Sequence, residues 1–84
     1  MENSENRIAI LGIIVSATDS VEAVNAALHE YGRFIVGRLG LPLRERGIST
    51  ISVVLDAPVN AVNALTGKLG TIPGVSANAL FARE

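Results

Sequence analysis

Apolar residues fill this chain in blocks whose spacing switches from strand-like to helix-like and back, and the switch happens twice. From Arg7 to Ser16 nearly every position is Ile, Leu, Val, Ala or Gly. A run so short and so rich in β-branched residues, bounded by turn formers, predicts a buried strand. Between Ser20 and Tyr31 the apolar residues Val21, Val24, Leu28 and Tyr31 share one helical face. Asp19 and Glu22, three residues apart, resemble a capping box that opens this helix, and Gly32 ends it at C′. Arg33 to Gly40 predicts a second strand, and the connection Leu41-Pro42-Leu43-Arg44-Glu45-Arg46-Gly47 follows. Pro42 makes that connection an edge or loop segment, because proline cannot donate to a sheet ladder. In Ile48 to Asp56 the residues Ile51, Val53 and Leu55 alternate with Thr50, Ser52 and Asp56, so this third strand has two unlike faces. Pro58 suits the first position of a second helix, and Val62, Leu65 and Leu69 carry its apolar stripe from Pro58 to Leu69, with Gly70 as its stop. Pro73-Gly74 turns the chain into a last strand, Val75 to Ala82.

The order βαββαβ predicts an α+β ferredoxin-like sandwich: a four-stranded antiparallel sheet with strands one and three in the middle and two helices on one face. A repeat supports it. Ala23-Val24-Asn25-Ala26 recurs as Ala61-Val62-Asn63-Ala64, each followed by a glycine (Gly32, Gly70), and the same offset pairs Ile13 and Val15 with Ile51 and Val53. Aligning those pairs assigns them, with Leu11 and Leu55, to the helix-covered face. The opposite parity leaves Ile8, Ile10 and Ile14, then Phe34 and Val36, Val54 and Leu80 on the open face. Burying such side chains is worth roughly 1.5–3 kcal/mol each, which predicts a homo-oligomer, dimer or tetramer, with Ile10, Ile14, Phe34, Val36, Val54 and Leu80 at its interface.

Composition narrows the function classes. The chain has 84 residues, of which 49% are hydrophobic and 18% charged, apolar for so small a surface. Seven basic against eight acidic side chains give a net charge of -1, so no global field draws it to nucleic acid or anionic lipid. Cysteine is absent, which removes disulfides, thiolate chemistry and Cys-based metal or iron–sulfur sites. No apolar stretch approaches the roughly 20 residues of a membrane span. Residues 1–6, polar and acidic, are expected to be a disordered tail; 7–84 form one domain, and the expected location is cytoplasmic.

Several activities use this fold, so function has to be sought in sites. Metal transfer needs a Cys pair in the first loop, where this chain has Ala17-Thr18-Asp19-Ser20; RNA stacking needs aromatics on strands one and three, and neither has one. His29, the single histidine, suits a helix surface and offers with Glu30 an incomplete metal shell, so no metal site is expected. Arg38, Arg44 and Arg46 cluster around the connection after strand two. They suit either an anionic ligand held by bidentate contacts or a solvated hairpin of paired charges. Gly67 interrupts the second helix at a cost of about 1 kcal/mol relative to Ala, which points to close approach of a backbone or ligand. Ser16, Thr18 and Ser20 suit a small polar ligand or helix caps equally. No general base, nucleophile or metal set is evident, so no enzyme activity and no cofactor are expected.

Gly37-Arg38-Leu39-Gly40-Leu41-Pro42-Leu43-Arg44-Glu45-Arg46-Gly47-Ile48-Ser49, and Asn63-Ala64-Leu65-Thr66-Gly67-Lys68-Leu69-Gly70 with Ile72-Pro73-Gly74-Val75, resemble the regulators of the iron-only hydrogenase system. The resemblance extends through Gly12-Ile13-Ile14-Val15 and His29-Glu30-Tyr31-Gly32 to nearly the whole chain from Arg7. It implies a small protein similar in fold to ACT ligand-sensing domains and to the C-terminal domain of the nickel-responsive repressor, with a regulatory role inferred from the hydrogenase maturation genes that accompany the family. The nickel site does not carry over, because one His and no Cys remain. Nor do six polar residues hold a ribbon-helix-helix, so no direct nucleic-acid binding is expected. The resemblance thus implies a non-catalytic regulatory or small-molecule-sensing domain, working through a protein partner or a small anionic or polar ligand. The alternative is a structural or protein-interaction subunit with no small-molecule ligand.

Overall fold

The computed structural model describes residues 5–83. Strand β1 covers Asn6–Val15, helix α1 Val21–Glu30, β2 Ile35–Leu43, β3 Ile48–Pro58, helix α2 Val59–Gly70 and β4 Val75–Phe81. The four strands form one antiparallel sheet in the order β2-β3-β1-β4, with the two most apolar strands central. The expected architecture is the one observed. Of the expected tail, residues 1–4 lie outside the described residues, while Asn6 already pairs with Pro58 as the first residue of β1.

The core follows the parity of the central strands. Ala9, Leu11, Ile13 and Val15 on β1 and Ile51, Val53, Leu55 and Ala57 on β3 are buried beneath the helices, which contribute Val24, Ala27 and Leu28 from α1 and Val62, Leu65 and Leu69 from α2. The internal repeat is preserved in packing, since Val24 and Val62, at equivalent positions, are both fully buried. On β4 the same face carries Val75, Ala77, Ala79 and Phe81, all half-buried.

Four local expectations are corrected. The helix ends are not left-handed glycine caps: Gly32 opens a 3₁₀ turn, Gly32–Phe34, that continues from α1, and Gly70 is the last residue of α2. Of the glycines, Gly47 (64°) and Gly74 (74°) are the ones with positive φ. Asp19 and Glu22 form no capping box, because Thr18–Ser20 is itself a 3₁₀ turn and no side chain caps α1. Instead Ser20, the N-cap residue, is buried and its hydroxyl donates to the Pro73 carbonyl at 2.6 Å. Pro58 ends β3 with extended ψ (146°), and α2 begins one residue later. Finally, β2 starts at Ile35 and runs through Pro42 to Leu43. A proline is tolerated there because β2 is an edge strand.

The loop from β1 to α1 and the loop from α2 to β4 are tied together at one end of the sheet. The Ser16 amide donates to the Gly74 carbonyl at 2.7 Å, beside the Ser20 to Pro73 bond. At this same end, where Val15 pairs with Ser49, the burial of β3 begins only at Ile51, and every β2 residue after Ile35 is exposed. The helices therefore cover β1, β3 and β4 and leave β2 exposed beyond Ile35.

Candidate functional site

A β-bulge decides what the open face of the sheet carries. Ile35 pairs with Leu55 but Gly37 pairs with Val54, so Val36 is the extra residue. A bulge inserts one position and thereby exchanges the two faces of the strand beyond it. Leu39, Leu41 and Leu43 consequently lie opposite Ser52, Thr50 and Ile48 on the open face, while Arg38 lies opposite Val53 on the helix side. An uninterrupted strand would have done the reverse.

With the registers known, the open face is a grid of rows running across the strands. One row reads Gly37, Val54, Ile10, Leu80; the next Leu39, Ser52, Gly12, Asn78; the next Leu41, Thr50, Ile14, Ser76; the end of the hairpin adds Leu43 beside Ile48. At the far end Asp56 pairs with Ile8, and it is the one charged side chain at these register positions. Ile8, Ile10 and Ile14 are each about half exposed, and Leu39, Leu41, Leu43, Val36 and Leu80 are exposed as well. Of the side chains expected here, Ile10, Ile14 and Leu80 are on the open face and exposed, and Val54 is there half-buried. Val36 is 67% exposed at the bulge. Phe34 is a correction: it belongs to the 3₁₀ turn after α1 and packs half-buried against the core, with the Arg33 guanidinium 4.5 Å above its ring. The three β2 leucines were missed because a bulge leaves no trace in hydrophobic periodicity.

A depression of about 420 Å³ lies in the middle of this face, lined by Gly12, Ile14, Thr50, Ser52, Ser76 and Asn78 among others. Its floor is Gly12, which has no side chain, and in register on either side stand Ser52 and Asn78. Thr50 Oγ1 donates to the Leu41 carbonyl at 3.2 Å, while Ser52, Ser76 and Asn78 make no side-chain hydrogen bond among the described residues. A smaller groove on the other side of the hairpin, lined by Val21, Arg38, Gly40, Pro42 and Ser49, opens beside the N-terminus of α1.

The expected ligand set does not assemble. Arg38 crosses to α1 and donates to Asn25 Oδ1 at 3.0 Å. Arg44 and Arg46 sit in the exposed 3₁₀ turn at the hairpin tip, which Gly47 closes in the left-handed conformation. Gly67 lies on the exposed side of α2, where a Cβ would meet nothing within 4 Å, so no close approach within the chain explains it. His29 is exposed on α1, and no group of three or more His, Cys, Asp or Glu side chains occurs among the described residues. Neighbouring it, Glu30 accepts a hydrogen bond from Lys68, its counterpart in the second half of the repeat. That hydrogen bond, with the charge of the carboxylate behind it, holds the Lys68 ammonium above the usual lysine range. Among the described residues no helix is long and apolar enough to cross a membrane.

Comparison with known proteins places this geometry. Residues 7–79 match the model of the TM1266-like family, described as "Iron-only hydrogenase system regulator, putative". The structure of the uncharacterized protein TM1266 from Thermotoga maritima superposes with a TM-score of 0.90 at 35% identity, covering 94% of this chain and 100% of that one. More distant likenesses concern the fold alone. The C-terminal domain of the MgtC protein from Mycobacterium tuberculosis matches with a TM-score of 0.68 at 15% identity, over 98% of this chain and 94% of that one. A formyltetrahydrofolate deformylase from Pseudomonas putida KT2440 matches with a TM-score of 0.64 at 15% identity, over 87% of this chain and 28% of that one. No curated protein matches the sequence. With the family model spanning β1 to β4 and a relative superposing over its entire length, the chain belongs to the TM1266-like family.

Proposed function

We propose that this chain is a non-catalytic regulatory module of an iron-only hydrogenase system that works as a homo-oligomer joined through the open face of its sheet. The observation that carries the reading is the grid of that face, in which isoleucines and leucines from all four strands surround a small polar centre and Asp56 is the one charge. Four strands about 4.8 Å apart, each contributing about eight residues at 3.4 Å, present a footprint of roughly 500 Å². Two such faces bury about 1,000 Å² together, where specific interfaces begin. The regulatory role rests on the family's description, and with a net charge of -1 the chain exerts it through proteins or small molecules rather than through DNA.

Sedimentation velocity at micromolar concentration tests the interface. The wild type is expected as a dimer or tetramer, and Ile10→Glu, which sets a carboxylate in the centre of the face, as a folded monomer by circular dichroism. A monomeric wild type would overturn the oligomer. Deleting the gene in its host and complementing with wild type or Ile10→Glu tests the regulatory part, with hydrogenase activity restored by the first and not by the second. The bare edge of β2, exposed beyond Ile35 and carrying Leu39, Leu41 and Leu43 on the open face, favours a second reading as an interaction subunit that pairs strand to strand and takes no small molecule. In that case the oligomer survives Ile10→Glu.

A further inference from the structure

Gly12 is out of place by the rules of its own strand. It sits in the interior of central strand β1, where glycine has the largest entropy to lose and no side chain to pack. Its φ is not positive, and a Cβ added there would meet nothing within 4 Å. Nothing inside the chain requires a glycine at this position. The space it leaves is the floor of the depression described above, and the polar groups at its walls, Ser52, Ser76 and Asn78, are those whose side chains make no hydrogen bond among the described residues. Around them stand the apolar side chains of the open face. A polar pit bordered by Val54, Ile10, Ile14, Leu80 and the β2 leucines, and open along the β4 edge, combines a few polar groups that orient a guest with an apolar wall that excludes water, as ligand sites do.

We propose that the Gly12 depression binds a small uncharged molecule carrying both hydrogen-bond donors and acceptors, and that a second copy of the chain closes over it. This rests on the face-to-face association proposed above. Covering the face strips water from three polar side chains per copy, and a guest with donors and acceptors supplies them with partners that avoid the cost of leaving buried polar groups unpaired. The guest is uncharged because the lining holds no charged side chain to pair with an ion. Its size follows from the register. Ser52 and Asn78 flank Gly12 at one strand spacing on either side, so they stand roughly 10 Å apart. Two hydrogen bonds of about 3 Å leave a guest about 4–5 Å across with a polar atom at each end, the dimension of a planar cyclic amide. Asn78 presents a donor and an acceptor side by side, which matches an amide edge.

Uracil, uncharged at neutral pH and of this size, is a suitable probe, and orotate, the same ring bearing a carboxylate, is its control. In amide-resolved NMR titrations uracil is expected to shift the resonances of Gly12, Ser52 and Asn78 saturably, and orotate to bind at least tenfold more weakly. Asn78→Leu keeps the shape of an exposed side chain and removes its amide; it is expected to weaken uracil at least tenfold while the oligomer persists in sedimentation. Gly12→Val fills the pit in open space and is expected to fold and to abolish the shifts. An absence of saturable shifts up to the solubility of uracil, equal binding of orotate, or undiminished binding by Asn78→Leu would each overturn the site. An oligomer that ignores uracil overturns the site and leaves the association standing, whereas a monomer that binds uracil overturns the association and the enclosure and leaves the pit itself a site.

Discussion

Replacing Gly74 by alanine tests the clasp that joins the β1–α1 loop to the α2–β4 loop, and its magnitude can be worked from two separate terms. Gly74 adopts φ of 74°, and an L-residue in that region costs about 1–2 kcal/mol. The added Cβ would stand 2.8 Å from Ala17 Cβ and 3.2 Å from the Ala17 backbone nitrogen. Neither neighbour is the end of a flexible side chain. Relieving such a contact requires the Ala17–Ser20 turn to move, at about 1–3 kcal/mol, the usual range for overpacking. The turn cannot move without cost, since Ser16 donates to Gly74 itself and Ser20 to Pro73. The sum is about 2–5 kcal/mol, which lowers the midpoint of thermal unfolding by roughly 8–40 °C in a domain of this size. Denaturation followed by circular dichroism measures it. A double-mutant cycle with Ala17→Gly isolates the Cβ–Cβ contact, because that change removes it and leaves φ and the approach to the Ala17 backbone as they were. A loss below about 1 kcal/mol for Gly74→Ala would refute both the left-handed turn and the tight approach; equal losses in the two backgrounds would refute the contact alone.

The remaining predictions concern the core, the edge and the exposed charges. Leu65→Ala, at a fully buried position of α2, is expected to cost about 2–5 kcal/mol in chemical denaturation, and a cost near zero would show that α2 is not packed on the sheet. Arg38→Ala removes an exposed hydrogen bond to Asn25 and is expected to change stability by less than about 0.5 kcal/mol in the same assay. For Lys68 the folded value is raised, so the contribution of its pair with Glu30 is fully present below the ordinary lysine range and is lost as pH rises through the folded value. An NMR titration of the Lys68 side chain is therefore expected to move down toward the ordinary value in Glu30→Gln, and an unchanged titration would rule out the hydrogen bond as its cause.

Periodicity along the chain was sufficient for the architecture because each strand and helix must hide one face, and that requirement is written locally. The alternation of Ile51, Val53 and Leu55, the helical spacing of Val62, Leu65 and Leu69, and the matched positions of the repeat all point to the burial that is found. Even the Glu30–Lys68 pair, 38 positions apart, joins equivalent points of the two halves. The order of elements then placed β2 and β4 at the edges, and an edge is where Pro42 can stand. What remained out of reach depends on pairing between distant segments. The bulge at Val36 is a choice of hydrogen-bond register between β2 and β3, and it alone put Leu39, Leu41 and Leu43 on the open face and sent Arg38 toward α1. The hydroxyl of Ser20, the N-cap residue of α1, does not cap the helix but donates to a carbonyl 53 residues away, which no local motif encodes. The pit exists only because two registers bring Ser52 and Asn78 to the same row as Gly12. A side chain's face is set by its own strand, but its neighbours are set by strands elsewhere in the chain, and a site is made of neighbours.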